Sequence, residues 1–345
     1  MRDHSSHPSR RGFLASGIVA GAAVLGARSL WARDEQRAAE PEEKTRKAQI
    51  AITLDLEMSR NFPVWEEMRW DYEKGNLNDE TKRYTVEACR RVKARGGVLH
   101  CFAVGRVLEQ ENVDWLKGIV QAGHPVGNHS YDHVNVLATR PEDIQFRFRR
   151  APWLIEGRAP AEVIRENIRL ASVALKTRIG IHPAGFRTPG GFADGLTGRP
   201  DVQQMLLALG FSWVSSMYPA HAMSEPMQPP SAAALEAIVA AQAKAQPFVY
   251  PTGLVEVPMS PISDIGAFRG GRWKLDWFVD AIRLGVSWAI DHGAAYDFLA
   301  HPSCLYVADP QFRTIEMICD LVRQAGDRAE LVDLNTLAKR AAGRA

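Results

Sequence analysis

The chain has little cysteine: Cys89, Cys101, Cys304 and Cys319 are its only four in 345 residues. None form a CxxC pair, and the density falls far short of a disulfide scaffold. Cys101 lies in an apolar, strand-like run and reads as a buried free thiol. Spacing assigns no bridge. A charge excess of either sign is also missing. Lys and Arg number 42 against 40 Asp and Glu, a formal +2. Residues 1–32 hold Arg2, Arg10, Arg11 and Arg28 against Asp3, so the remainder is near neutral. General nucleic-acid binding needs a basic stripe to displace counterions, and that class is excluded. There is no internal repeat and no low-complexity tract.

No apolar run reaches the ~20 residues of a spanning helix. The run Ala15 to Ala27 is shorter, and it follows Ser9-Arg10-Arg11-Gly12-Phe13-Leu14, a twin-arginine pattern. Residues 1–32 are therefore expected to be a cleaved export signal, delivering the protein to the periplasm or cell envelope without a stable membrane span. That route carries folded proteins, which suits a cofactor loaded before export. Residues 33–47 are polar and charged and read as a linker. From 48 to 345 short apolar runs alternate with longer amphipathic ones, predicting a mainly parallel sheet or barrel. Strands are expected at 49–56, 97–104, 183–186, 211–215, 254–258, 296–300 and 330–333. Helices are expected at 79–95, 112–122, 160–178, 200–209, 231–245, 274–292, 309–325 and 334–342. Two segments break the alternation. One is 58–78, with Phe62, Trp65, Trp70 and Tyr72; the other is 216–253, rich in Pro and Met. Both are candidates for loops that shape a substrate site.

Four clusters could carry chemistry. In Gly127-Asn128-His129-Ser130-Tyr131-Asp132-His133 two histidines four apart would share one face of a helical turn and converge on a metal. In Thr53-Leu54-Asp55-Leu56-Glu57 two carboxylates two apart on a strand point to one side, where they crowd unless a cation or an arginine lies between them. Gly185-Phe186-Arg187-Thr188-Pro189-Gly190-Gly191 offers an arginine at a strand end before a sharp bend, a natural partner for Asp55. Asp297-Phe298-Leu299-Ala300-His301-Pro302 places a histidine at the close of a strand, positioned as a general acid. Among the other histidines, His100 lies inside a strand, whereas His124, His182, His221 and His292 are expected at the surface.

The order of these pieces, with Gly210-Phe211-Ser212-Trp213 between the last two, resembles the polysaccharide deacetylases, the NodB-homology carbohydrate esterases. The resemblance spans about residues 48 to 335. It implies a deformed (β/α)7 barrel and a divalent metal, most often zinc, and hydrolysis of N-acetyl groups on a glycan. By position His129 and His133 would be metal ligands, Asp55 the general base, Arg187 its orienting partner and His301 the acid for the leaving amine. Pro189, Gly190 and Trp213 would contact substrate. One departure stands out. The common family strand end has adjacent aspartates, and here Leu56 occupies the second position. A divergent branch, which includes peptidoglycan-deacetylase-like and allantoinase-like enzymes, spaces its acids one apart. On that pattern Glu57 is the third ligand, with Asp55 itself the alternative. The same departure leaves open a small linear or cyclic amide as substrate, or a catalytically silent carbohydrate-binding barrel. Oligomeric state is not legible.

Overall fold

A computed structural model describes residues 46–58 and 74–343. The expected signal, most of the linker, and Phe62, Trp65, Trp70 and Tyr72 lie outside the described residues.

Nine strands form one sheet: β1 (Ala48–Leu56), β2 (His100–Ala103), β3 (Val126–Asn128), β4 (Gly185–Phe192), β5 (Trp213–Met217), β6 (Phe248–Val249), β7 (Val255–Glu256), β8 (Ala295–Ala300) and β9 (Ala329–Leu331). Their order is β6-β7-β5-β4-β3-β2-β1-β8, with β9 beside the start of β1. Every pairing is parallel except β6 with β7. The sheet curls back on itself. Past β7 the chain runs on along β5, Val257 N–H donating to Val214 O and Met259 N–H to Met217 O. Ser260 then reaches β8, its N–H donating to Asp297 O at 3.1 Å while its Oγ accepts from Asp297 N. Seven parallel strands (β1, β2, β3, β4, β5, β7 and β8) thus make the expected deformed barrel, with one narrow seam.

The helices are α1 (Asp79–Ala94), α2 (Asp114–Gln121), α3 (Pro141–Ile144), α4 (Phe146–Arg150), α5 (Pro160–Ile179), α6 (Pro200–Ala208), α7 (Ala232–Gln242), α8 (Leu275–Asp291), α9 (Pro302–Ala308), α10 (Arg313–Ala325) and α11 (Leu334–Ala342). All nine residues of β1 are buried, as a strand covered on both faces must be. Ile50, Ile52, Leu54 and Leu56 pack outward with Ala88 and Val92 of α1, Ile282 and Val286 of α8 and Ile315 of α10. The alternate residues turn inward. Ala51, Phe102, Trp213, Val255 and Ala295 form an apolar layer at the start of the strands, closed by Leu334, Leu337 and Ala338 of α11. Thr53, Arg187, Ser215 and Asp297 form a polar layer above it.

The α/β pattern matches the expected alternation, with several differences, among them the short α3, α4 and β6, which were not expected. Strand β3 has three residues, too few for a periodicity signal. The helix expected over 309–325 starts later, as α10 at Arg313 after Phe312 takes the left-handed φ of 61°, and a separate helix not expected from the sequence, α9, precedes it and ends at Ala308. Within 216–253, α7 buries Ile238 in the outer core, while Tyr218 alone of the segment reaches the barrel mouth among the described residues. No helix of the described residues is long and apolar enough to cross a membrane.

Candidate metal and hydrolytic site

At the C-terminal ends of the strands, a cavity of about 240 Å³ is lined by Asp55, Glu57, His129, His133, Gly190 and His301, with Tyr218 and Leu299. Parallel barrels place their chemistry at this end. Four of the sequence clusters meet here.

Strand alternation decides the acids. Asp55 and Glu57 turn to the cavity, and Leu56 between them is fully buried in the outer core. The leucine is therefore not a lost ligand. Its side chain faces away from the cavity. The chain bends just past β1, Glu57 N–H donating to Asp55 O at 3.0 Å.

The two histidines converge for a different reason from the one expected. No helix lies between Asn128 and Pro141; the segment is a loop in which Ser130 and His133 take left-handed φ values of 56° and 62°. Two asparagines hold this conformation. Asn128 Oδ1 accepts from Ser130 N, while its Nδ2 donates to Ile168 O and Ser172 Oγ of α5. Asn167 Oδ1 accepts from the backbone N–H of both Tyr131 and Asp132. Its Nδ2 donates to Asp132 Oδ2, whose other oxygen takes Arg106 and Arg147.

Glu57, His129 and His133 each offer an atom within 4.8 Å of the others. His129 Nδ1 lies 2.9 Å from the carbonyl oxygen of Arg187. A carbonyl only accepts, so Nδ1 carries the proton and Nε2 presents its lone pair toward Glu57 and Asp55, 3.9 and 3.8 Å away. Burial depresses the pKa of both His129 and His133 to about 4, so both rings are neutral at pH 7. For Glu57 burial works against charge, but a protonated His133 and the Lys74 ammonium outweigh it and hold the carboxyl well below its usual range, and at pH 7, with His133 neutral, the ammonium is the cation beside it. Its Oε2 sits 2.6 Å from His133 Nε2 without satisfying hydrogen-bond angles. Two neutral imidazoles and an ionised carboxylate aimed at one point, one oxygen still unsatisfied, fit a divalent cation with an open position.

Asp55 is held from below. Arg187 of β4, fully buried, donates to Asp55 Oδ1 at 3.3 Å and to Thr53 Oγ1 at 2.7 Å, and it also pairs with Asp297. Burial raises the pKa of Asp55, with Arg187 acting against the rise. Opposite stands His301, the residue before α9. Asp264 clamps it twice, accepting from His301 N at 2.7 Å and meeting Nδ1 at 2.9 Å. Burial opposes a charge on His301, but Asp264 outweighs it and the pKa rises. Its Nε2 lies 3.7 Å from Glu57 Oε1.

Some expected residues are elsewhere. Trp213 is 2% exposed in the lower apolar layer, its Nε1 donating to Asn335 Oδ1, so it cannot touch a substrate at the mouth. The indole lies where a Cβ on Gly185 would approach within 1.9 Å of its ring, so the pair interlocks as packing. Pro189 is buried beside the mouth, while its neighbours Thr188, Gly190 and Gly191 line the cavity. His124 is buried rather than superficial, Nδ1 accepting from Leu99 N. All four cysteines are buried and free. Three site residues were not singled out from sequence: Lys74, Asp264 and Asp297. Asp297 stood inside a quoted motif, and its place on an apolar strand was the available signal. Asp264 reaches the site from the start of a six-residue π-helix (Ile265–Gly270) and Lys74 from a turn, both too short for periodicity to mark them.

A family model described as polysaccharide deacetylase matches residues 71–207. That stretch contains His129, His133 and Arg187; Asp55, Glu57, Asp264 and His301 lie outside it. No curated protein matches the chain. Among solved structures, a Mycobacterium smegmatis protein described as a polysaccharide deacetylase superposes with TM-score 0.59 at 15% identity, covering 88% of this chain and 92% of its own. The Puue allantoinase gives 0.57 at 13%, covering 86% and 91%. A Pseudomonas aeruginosa protein described as a polysaccharide deacetylase gives 0.56 at 14%, covering 84% and 89%. At these identities the likeness is one of fold. The fold is that of a NodB-type deformed barrel, and the family model over residues 71–207 agrees with the resemblance read from the motifs.

Proposed function

We propose that this chain is a metal-dependent hydrolase of the polysaccharide deacetylase type that removes N-acetyl groups from an envelope or extracellular glycan containing N-acetylglucosamine, such as peptidoglycan. The observation that carries this reading is the meeting of Glu57, His129 and His133 between an arginine-held acid and an aspartate-held histidine.

An amide is a weak electrophile with a poor leaving group, so its hydrolysis needs a polarised carbonyl, an activated water and a proton for the amine. Glu57, His129 and His133 would hold the cation, which supplies the carbonyl polarisation and lowers the pKa of water. Zinc suits two imidazoles and one carboxylate. Asp55 takes the water proton; Arg187 fixes the direction of its free oxygen. His301 gives its proton to the departing nitrogen, and Asp264 on Nδ1 keeps Nε2 as the donor. The cavity admits an acetamido group between these two sides, with Gly190 and Gly191 letting the sugar approach the backbone.

Acetate release from N-acetylglucosamine oligomers and from peptidoglycan, with and without a chelator, tests the proposal. Chelator-sensitive release is expected. No release from any glycan by zinc-loaded protein would refute it. A second reading, hydrolysis of a small amide or cyclic imide, draws on the small cavity of about 240 Å³; turnover of imides with none of glycans would favour it. Residues 1–32 would direct export by the twin-arginine route. Replacing Arg10 and Arg11 with Lys should keep the protein in the cytoplasm, and unchanged export would refute that assignment.

A further inference from the structure

Lys74 brings a positive charge into direct contact with the carboxylate that would hold a cation. Its Nζ lies 2.5 Å from Glu57 Oε1, and both side chains are 2% exposed. The contact is built in. Met58 N–H donates to Lys74 O at 2.7 Å, so the backbone on either side of the pair is itself bonded. Gly75 packs against the backbone and Cβ of Arg106 so closely that a Cβ would come within 2.3 Å, and Leu77 N–H donates to Gly75 O. The lysine therefore reaches its partner from fixed backbone, not from a loose stem.

We infer that Lys74 is an internal counter-cation for Glu57, which balances the ligand carboxylate without metal and weakens the site's hold on a divalent ion. The inference rests on the proposed metal site. An ammonium on one oxygen of a carboxylate and a dication on the other repel across a few ångströms of protein, where screening by water and salt is slight. Lys74 also occupies Oε1, leaving Glu57 only Oε2 to offer. The consequence is an exchangeable ion in a site that stays assembled when empty. Lys74 is thus a positioning residue that acts through Glu57.

The test is zinc affinity by competition with a chromophoric chelator, on wild type, Lys74→Gln and Lys74→Arg, with the thermal midpoint recorded with and without zinc. Gln keeps a donor for Oε1 and removes the charge; Arg keeps the charge. Lys74→Gln should bind zinc about 10- to 100-fold more tightly and show the larger zinc-induced rise in midpoint. Lys74→Arg should remain as weak as wild type. If Lys74→Gln folds only when zinc is added, the counter-cation role stands. Unchanged or weaker binding by Lys74→Gln overturns the inference while leaving the metal site intact, as does a Lys74→Gln protein that zinc cannot fold. Zinc bound by none of the three overturns both readings.

Discussion

At the residue scale the site is a set of opposed pKa shifts. Burial raises Asp55, and Asp264 raises His301 against the effect of burial. In the proposed mechanism Asp55 is a base only when ionised, so activity should fall as pH drops through its elevated pKa. In the same mechanism His301 is an acid only when protonated, so activity should fall as pH rises through a pKa above its usual 6.5. The kcat/KM profile should be bell-shaped, with an alkaline limb that Asp264→Asn moves to lower pH. An alkaline limb unmoved by Asp264→Asn would mean that another group donates the proton. His301→Ala should cost about 100- to 10,000-fold in kcat, with zinc content by atomic absorption unchanged. Zinc loss in that variant would make His301 a ligand instead. Legibility at this scale followed chain locality. Asp55, Glu57, His129, His133, Arg187 and His301 stood out because each ends a strand or follows one within a compact motif. Asp264 sits 37 residues before His301, capping a short π-helix, and Lys74 17 after Glu57 in a turn, so only the closed fold joins them.

At the element scale α5 is the scaffold of the histidine pair. Two of its residues, Asn167 and Ser172, bond the loop that follows β3, and its Ile168 carbonyl takes Asn128. The helix was legible because Pro160 opens it, Gly180 closes it with a left-handed φ of 76°, and Val163, Ile164, Ile168, Ala171 and Leu175 recur on one buried face. What the sequence could not show is that the buried Asn167 of that face serves the loop rather than the core. Nor could it show that the histidine spacing, which reads as a helical turn, is a loop with two left-handed residues. Asn167→Ala strips two backbone donors and Asp132 of a partner in one step. It should cost about 1–3 kcal/mol by urea denaturation, the scale of leaving buried polar groups unsatisfied. It should also lower zinc affinity, because the left-handed turn at Ser130 and His133 loses its restraint. Loss of stability with zinc affinity intact would mean that the loop is held by Asn128 alone.

At the scale of the whole molecule, the barrel is closed across its axis by charge as much as by strand pairing. Arg187 extends from β4 to Thr53 and Asp55 on β1, Ser215 on β5 and Asp297 on β8. Its guanidinium carbon lies 4.4 Å from the ring centroid of Phe102 on β2. One side chain thus touches four barrel strands besides its own, including β8 at the seam made by Ser260. The apolar layer beneath it was legible as strand alternation, whereas an arginine at a strand end read only as a partner for Asp55. Removing Arg187 strands two buried carboxylates, so Arg187→Met should destabilise the fold by about 3–5 kcal/mol. The cost belongs to uncompensated charge, not to the missing contacts themselves. Neutralising both partners as well, in Arg187→Met with Asp55→Asn and Asp297→Asn, should therefore recover much of the lost stability, although no base remains for hydrolysis. Chemical denaturation of the single and triple variants separates the two accounts. If the triple variant is less stable than Arg187→Met, the guanidinium holds the barrel by its hydrogen bonds across the strands, and charge balance is secondary.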